Sequence, residues 1–428
     1  MSTASRSFDI AVARPSMAWW STVADSTWTK VACGPTAAGV EDWQKGDRVA
    51  EAWADPSLSN IGAATDDGGR PNVFAYSGGA VDQGRGEYWV CGGGHRAYPG
   101  NEPYVLQIFS DVPGYVAMAF PSPGSYVVQG NSSNGPGQYA EDIGINGAPQ
   151  SNHTYNRLVF ANDRLWLIGQ GGQQWDPVYG TSRIFSFSRE TRKWSNHGLA
   201  LTTAQFSQYS LPTEEASAFY YPAGDVILAS FKGGQVDGLP HTVAINPHNG
   251  AVVAKYAYTY PTSYGMQQSN AKLIDGTSKV IFISENYSLL GQVGGVFLWD
   301  AANPTTNPTR LTVTDTTGGL GWLSYACGMV WDPLSEAMLL QRNFGEVFVK
   351  LAPNTPGHYS GAWTASKITP ANVASSTRVV PPTLGWDARP YSRWNIIHDM
   401  GDGRGAIVWQ PDTPLQPAFL YAIPASGL

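Results

Sequence analysis

The sequence is poor in charge, in cysteine and in long apolar runs. Only 14% of its 428 residues are Asp, Glu, Lys or Arg, against about 25% in an average soluble domain. The three cysteines, Cys33, Cys91 and Cys327, lie far apart without a Cys-x-x-Cys pair, which excludes a disulfide framework. No segment reaches the ~18 apolar residues of a transmembrane helix. We therefore expect no membrane insertion.

Basic clusters and leader segments are missing as well. The formal net charge is −7, and the Lys and Arg residues are dispersed, whereas nucleic-acid binding needs a concentrated basic face. We expect no nucleic-acid partner. Residues 1–14 contain neither an apolar core nor a cleavage site, so synthesis in the cytoplasm without a signal peptide is predicted. P-loop, G-x-S-x-G, G-x-G-x-x-G and H-E-x-x-H motifs are absent too, which disfavours nucleotide-binding and common hydrolase classes.

What the chain does contain is aromatic residues and turn formers: 16 Trp, 48 Gly and 30 Pro. Short aromatic strands recur between glycine-rich turns, as in Glu87-Tyr-Trp-Val-Cys91 and Arg164-Leu-Trp-Leu-Ile168. A four-strand unit used repeatedly is typical of a β-propeller. We predict an all-β fold of six four-stranded blades, whose units begin near Tyr76, His153, Glu215, Gln268, Tyr325 and Arg393.

The sixth unit lacks a fourth strand before the chain stops at Leu428. An unpaired sheet edge is a liability, and the segment from Ser26 to Ala32 has the pattern of a strand. We predict that this N-terminal strand closes the ring. The domain organisation is then an N-terminal arm, residues 1–25, followed by one propeller domain, residues 26–428.

One stretch carries a family resemblance. The run Gly92-Gly-Gly-His-Arg-Ala-Tyr-Pro-Gly-Asn-Glu102, followed by Ser151-Asn-His-Thr-Tyr155, resembles kelch-type, galactose-oxidase-like propeller proteins of bacteria and their phages, over roughly residues 70–200. The resemblance implies the fold more than an activity, and several members of that family are virion components. The chain departs from the copper-radical oxidases, because it has no Tyr-His dipeptide and Cys91 lies within a strand. We expect no metal and no other cofactor.

Propeller geometry directs the search for a ligand site, because the innermost strands of all blades begin at one mouth of the central channel. The polar and aromatic residues at or beside those starts are the candidate ligand-binding residues: His95, Arg96, Tyr98, Asn101, His153, Glu215, Tyr325 and Asn395. A neutral imidazole suits proton abstraction, while hydrogen bonding within the loop is the alternative role for His95 and His153. Glu214 and Glu215 do not make a glycosidase pair by themselves, because neighbours on a strand point to opposite faces.

Aromatic residues add a second kind of candidate. Trp19 and Trp20 fall in a predicted loop, where they either stack on sugar rings or pack between blades. Trp89, Trp166, Trp194, Trp299, Trp331 and Trp409 fall in strands and are predicted core residues.

Three functions are compatible with this pattern. The main prediction is a non-enzymatic adhesion or decoration protein on the surface of a phage or phage-like particle, with other particle proteins, copies of itself or host surface glycans as partners. The alternative is a carbohydrate-active enzyme, a polysaccharide lyase or hydrolase that uses the channel mouth. The third is a cytosolic protein-interaction propeller. Convergent His, Tyr and Arg side chains in a pocket favour the enzyme, and a large buried interface favours the particle component.

Overall fold

The computed structural model describes fourteen segments of the chain: residues 17–31, 77–92, 101–119, 148–149, 154–170, 181–200, 217–231, 241–257, 269–284, 295–317, 327–341, 348–371, 391–410 and 418–428. They form six antiparallel sheets arranged as the blades of a propeller. The predicted all-β, six-bladed fold is confirmed. The helix α1, Ala18–Ser21, has only four residues, and no described helix has the length and apolarity needed to cross a membrane.

The strands follow the chain blade by blade. The N-terminal strand is β1 (Trp28–Lys30). Blade one contains β2 (Gly78–Asp82), β3 (Glu87–Cys91), β4 (Tyr104–Gln107) and β5 (Gly114–Ala117). Blade two contains β6 (Leu158–Ala161), β7 (Arg164–Gln170), β8 (Thr181–Ser188) and β9 (Trp194–Leu199). Blade three contains β10 (Ala218–Tyr221), β11 (Val226–Phe231), β12 (His241–Ile245) and β13 (Val252–Ala257).

The second half of the ring is less regular. Blade four contains β14 (Ser269–Leu273), β15 (Lys279–Ser284), β16 (Gly295–Asp300) and the two-residue β17 (Thr309–Arg310). Blade five contains β19 (Gly328–Asp332), β20 (Ala337–Gln341), β21 (Phe348–Pro353) and β22 (Trp363–Ile368), and β18 (Val313–Asp315) adds a fifth strand parallel to β22. Blade six contains β23 (Trp394–Ile397), β24 (Gly405–Trp409) and β25 (Phe419–Ile423), and β1 completes its sheet. Short 3-10 turns lie at Pro222–Gly224 and Tyr391–Arg393.

The core consists of layers between the blades. The second strands of several blades are apolar runs buried at every position, as in β3, β20 and β24, because each sheet is covered by a neighbour on both faces. Of the predicted core tryptophans, Trp89, Trp166, Trp299, Trp331 and Trp409 are buried, and Trp194 is partly buried. The thiols of Cys91 and Cys327 are buried and free.

The ring is closed in two ways. Each innermost strand contacts the innermost strands of its two neighbours, and β2 of blade one contacts β23 of blade six. In addition, β1 pairs antiparallel with β25, with Trp28 opposite Tyr421 and Lys30 opposite Phe419. The predicted closure by the N-terminal strand is therefore confirmed.

The segment before β1 is fastened to the body by Arg404. Its guanidinium carbon lies 4.6 Å from the centre of the Trp20 ring, and its Nη1 donates to the carbonyl oxygen of Val23 at 2.6 Å. Trp19 donates its indole N–H to the carbonyl of Ser110 in blade one. Trp20 is 2% exposed, so it packs against the propeller and does not offer the sugar-stacking surface considered from the sequence.

Candidate functional site

The two ends of the central channel differ in chemistry. We call the end at which the innermost strands begin the upper mouth; it is marked by Ser77, Asn156, Ser217, Asn270, Cys327 and Arg393. The lower mouth is the opposite end, formed by the turns that follow those strands: residues 82–87, 161–164, 221–226, 273–279, 332–337 and 397–405. The parallel bridge between Asn156 and Ser217 confirms that neighbouring blades enter the ring in the same direction.

A layer of buried polar side chains lies at the upper mouth. Its members sit at the starts of the innermost strands or at the ends of the second strands, and all are at most 8% exposed: Ser77, Thr154, Asn156, Arg157, Ser217, Ser230, Asn270, Gln341, Ser392, Arg393, Asn395 and Gln410. Buried polar groups are costly unless they are hydrogen-bonded. The polar residues at this end therefore carry a desolvation cost that the apolar residues in the middle of the ring do not.

Blade one is held within this layer by hydroxyl groups from both of its neighbours. Thr154 of blade two donates to the carbonyl of Cys91 and accepts from the N–H of Gly78, both at 2.7 Å. Ser392 of blade six accepts from the N–H of Gly79 at 3.0 Å. A Cβ atom on Gly78 would overlap the carbonyl of Tyr155. The glycine pair is thus required by the close approach of three blades.

Buried charge surrounds the same blade. Arg157 on blade two and Arg393 on blade six are fully buried. Glu102 is 2% exposed, and its Oε1 accepts a hydrogen bond from the hydroxyl of Tyr104 at 2.6 Å. Burial raises the pKa of the Cys91 thiol, which Glu102 raises further and Arg157 lowers. Both charges therefore lie within electrostatic range of Cys91, at the upper end of β3.

Arg393 acts on the other face of blade one. Burial raises the pKa of Tyr88, and the Arg393 charge opposes that rise. Next to it, Gln410 donates its backbone N–H to the carbonyl of Arg393 at 3.3 Å and accepts from the hydroxyl of Tyr115 at 2.7 Å. Two arginines of the neighbouring blades thus lie at the upper end of blade one, together with Glu102 and the hydroxyls of three of its tyrosines, Tyr88, Tyr104 and Tyr115.

Two of the eight predicted ligand-binding residues lie among the described residues. Asn101 is 4% exposed, and its Nδ2 donates to the carbonyl of Pro149 at 2.7 Å. Asn395 is 8% exposed on β23, and its Nδ2 donates to the carbonyl of Ser392. Asn395 therefore lies at the upper mouth, whereas Asn101 lies before the third strand of blade one and accepts a hydrogen bond from Trp194 on the outermost strand of blade two. The other six lie outside the described residues: His95, Arg96, Tyr98, His153, Glu215 and Tyr325.

Sequence reasoning missed Arg157, Arg393, Glu102 and Lys272. The two arginines did carry a signal, because each stands directly before the apolar run of an innermost strand, in Arg157-Leu-Val-Phe160 and in Arg393-Trp-Asn-Ile-Ile397. Lys272 interrupts such a run in Ala271-Lys-Leu-Ile274. A charged residue at a position where other blades are apolar marks a site more specifically than polarity in a loop does.

The lower mouth is built differently, from links between blades. Gln83 of blade one donates to the carbonyl of Ile396 in blade six at 2.7 Å. Arg85 forms an ion pair with Asp163 of blade two at 2.6 Å. His248 Nε2 lies 2.7 Å from Asp225 Oδ2. No group of three or more His, Cys, Asp or Glu among the described segments is arranged to hold a metal ion.

One link at the lower mouth joins blades that are not neighbours. His398 Nε2 of blade six lies 3.2 Å from Asp275 Oδ2 of blade four, so the pair reaches across the inner edge of blade five. Burial raises the pKa of Asp275, His398 lowers it, and Asp332 of blade five raises it. This pair bridges the lower mouth.

Comparison with known proteins finds distant similarity to solved structures. No protein-family model matches the chain, and no curated protein matches it in sequence. Among solved structures, it is similar to an α-L-arabinanase of Penicillium chrysogenum complexed with arabinobiose, with a TM-score of 0.48 and 10% identity over 84% of this chain and 98% of that one. A β-xylosidase gives 0.37 and 11% over 63% and 92%. The Dos1 propeller gives 0.35 and 11% over 80% and 67%.

These comparisons correct the main functional prediction made from the sequence. The prediction of a non-enzymatic adhesion or decoration protein of a phage particle is wrong, because two of these similar structures are an arabinanase and a xylosidase. At 10–11% identity these likenesses transfer no activity to this chain, and the fold rests on its own six sheets. The alternative, a carbohydrate-active enzyme at the channel mouth, is taken up below.

Proposed function

We propose that the protein is a carbohydrate-active enzyme, a polysaccharide lyase or hydrolase, whose active centre lies at the upper mouth beside blade one. The observation that carries the proposal is the buried charge there, namely Arg157, Arg393 and Glu102. Burying a charge costs several kcal/mol by order of magnitude, and clusters of perturbed charges are typical of functional sites. The proposal stands on these charges and not on the names of similar structures.

Glu102 and Tyr104 are the described residues best suited to proton transfer. They share a 2.6 Å hydrogen bond in which the hydroxyl donates to the carboxylate. In a hydrolase, an acid protonates the leaving oxygen as the glycosidic C–O bond breaks, and a second group acting as base takes a proton from the water that adds to the anomeric carbon. In a lyase, a base removes the proton beside a uronate carboxylate, a C=C bond forms as the C–O bond breaks, and the leaving oxygen gains a proton. The arginines stabilise negative charge in either transition state.

The kelch-type, galactose-oxidase-like kinship belongs to the same proposal. Its support is the sequence motif from Gly92 to Glu102 and from Ser151 to Tyr155. The end of that motif supplies Glu102, and Thr154 within its second part holds blade one in place.

The test is incubation of the full chain with a panel of neutral and acidic polysaccharides. New reducing ends are measured together with the ultraviolet absorbance of unsaturated uronate products. We expect at least one polymer to be shortened; absorbance with the new ends indicates a lyase, and new ends alone indicate a hydrolase. A full panel without any shortened polymer contradicts the proposal.

The chain offers a matched pair of variants for locating the active centre. Glu102→Gln keeps an acceptor for Tyr104 but removes the carboxylate, and we expect turnover to fall about 10²-fold or more, as for the loss of an acid–base group. Glu87→Gln removes an equally buried carboxylate at the lower end of blade one, where Glu87 pairs with Arg189 at 2.6 Å. We expect Glu87→Gln to lower stability and leave turnover near wild type. The reverse pattern would place the active centre elsewhere.

A further inference from the structure

Two polar side chains on the innermost strand of blade four lie on its face toward blade five, beside Ile281 and Ile283. On β14, Ala271 and Leu273 pack into the layer between blades three and four. Asn270 and Lys272 alternate with them and lie on the opposite face, and Asn270 Nδ2 donates to the carbonyl of Cys327 in blade five at 2.7 Å. Residues two apart on one strand face lie about 7 Å from each other. They can therefore contact one small molecule.

The Nζ amine of Lys272 has no polar partner among the described residues. It forms neither a hydrogen bond nor an ion pair with any described residue, and it is half-buried. Burial lowers the pKa of Lys272 to about 8. An innermost strand has no further strand on its inner edge, so the accessible part of this deeply placed side chain opens on the channel.

Asn270 supplies an acceptor to match this donor. Its side chain is 1% exposed, and its Oδ1 is buried without a hydrogen-bond partner. Buried polar atoms in proteins are nearly always hydrogen-bonded to protein, water or ligand. An unsatisfied carbonyl oxygen and an unpaired amine on one strand face suit a ligand that carries both a hydroxyl group and an anionic group.

The carboxylates of Asp275 and Asp332 at the lower end of the channel are bonded to other groups and do not pair with the Lys272 amine. Asp275 is engaged by His398. Asp332 accepts from the backbone N–H groups of Leu334 and Ser335 at 3.1 and 3.2 Å, so it caps its own turn. The pair Asp275–His398 spans the inner edge of blade five at the lower mouth, so we take entry to Lys272 to be from the upper mouth.

We propose that Asn270 and Lys272 form a channel-side subsite for a sugar acid, in which the amine pairs with the carboxylate and Asn270 Oδ1 accepts from a ring hydroxyl. The inference rests on the proposed function in taking the ligand to be a sugar. A subsite of this chemistry binds an acidic sugar unit, so we take the substrate class to be a polymer that contains uronic acid. Binding is measured without cleavage, so failure of the subsite is distinguishable from failure of the enzyme.

The experiment is calorimetric titration of the full chain at about pH 7 with D-glucuronate, its neutral amide, D-glucose and inorganic phosphate. We expect glucuronate to bind at least tenfold more tightly than the amide or glucose, because only the acid carries the charge. Lys272→Met should weaken glucuronate binding about tenfold or more. Lys367→Met, which removes an exposed lysine on β22, should leave it unchanged.

Asn270→Ala separates a sugar-acid subsite from a plain anion site. We expect this variant to weaken glucuronate several-fold and to leave phosphate unaffected, with melting temperatures confirming that it folds. Equal binding by wild type and Lys272→Met overturns the proposal, and so does glucuronate binding no tighter than glucose. Phosphate binding as tightly as glucuronate, with no effect of Asn270→Ala, overturns the sugar-acid assignment.

Discussion

At the scale of single residues, Lys272 stands out because it places a charged group on an innermost strand, between the buried side chains of Ala271 and Leu273. Lys272 has a pKa of about 8 in the folded protein against an ordinary value of 10.5. A group whose folded pKa is lowered binds its proton less tightly when folded than when unfolded. The folded state therefore bears a cost whenever the amine is charged.

The consequence for stability depends on pH. Below about pH 8 the amine is protonated in both states and the cost is fully present; between about pH 8 and the unfolded value the unfolded chain binds more protons, so stability rises with pH. We expect Lys272→Met to melt a few degrees above wild type at about pH 7, and this difference to shrink by about pH 10. Melting curves at both pH values, in buffer without organic acids, measure it. A difference that does not change with pH would show that Lys272 is not desolvated.

At the scale of elements, β1 is a short strand that completes the sheet of blade six and closes the ring. It has three residues, yet Trp28 packs against Phe348, Trp394, Trp409 and Tyr421 at ring distances of 5.3–6.5 Å. Trp28 is 4% exposed. The strand therefore contributes a core side chain to the layer between blades five and six as well as hydrogen bonds to β25.

Removing that side chain should destabilise the whole ring. We expect Trp28→Ala to lower the free energy of unfolding by about 3–5 kcal/mol, as for large-to-small changes in a core. Deletion of residues 1–33 should cause aggregation, since it also exposes the β25 edge. Denaturant unfolding measures the first, with Val253→Ala on an exposed site of β13 as control. If Trp28→Ala were as stable as the control, the ring would not depend on β1.

The sequence predicted these elements to different degrees. Runs such as Tyr88–Cys91 and Phe419–Ile423 were readable because burial on both faces leaves only apolar residues. The strand β18 was not readable, since Val313–Asp315 is short and half polar and pairs with a partner 50 residues further on. The polar layer was predicted as a location, but Arg157 and Glu102 become neighbours of Cys91 only through packing between blades. Single-chain patterns do not report such distances.

At the scale of the whole molecule, the two mouths have different structural roles. The upper mouth holds buried polar and charged groups, whereas the lower mouth holds links between blades, of which the Asp275–His398 pair spans the greatest part of the ring. We infer that this pair restricts entry from below. It joins residues more than a hundred positions apart in the sequence, so no local pattern could have predicted it.

The rate at which a reagent modifies the Lys272 amine tests whether the Asp275–His398 pair limits entry. We expect His398→Ala to increase several-fold the rate at which trinitrobenzenesulfonate modifies Lys272. Peptide mass mapping over time measures this rate. His248→Ala breaks contacts of the turn between β12 and β13, with Asp225 in blade three and Asn162 in blade two, and should leave that rate near wild type. If both variants behaved like wild type, the Asp275–His398 pair would not limit entry.

Closure by β1 also determines when the ring can be completed during synthesis. Trp28 is made nearly 400 residues before its partner Tyr421, and ribosomes add about 5–20 residues per second. The first strand to emerge therefore waits about 20–80 s for the strand it must pair with. During that interval five blades can assemble while a tryptophan-bearing segment remains unpaired. The nascent chain thus passes through an open ring with an exposed apolar N-terminal end, a form that molecular chaperones are suited to shield.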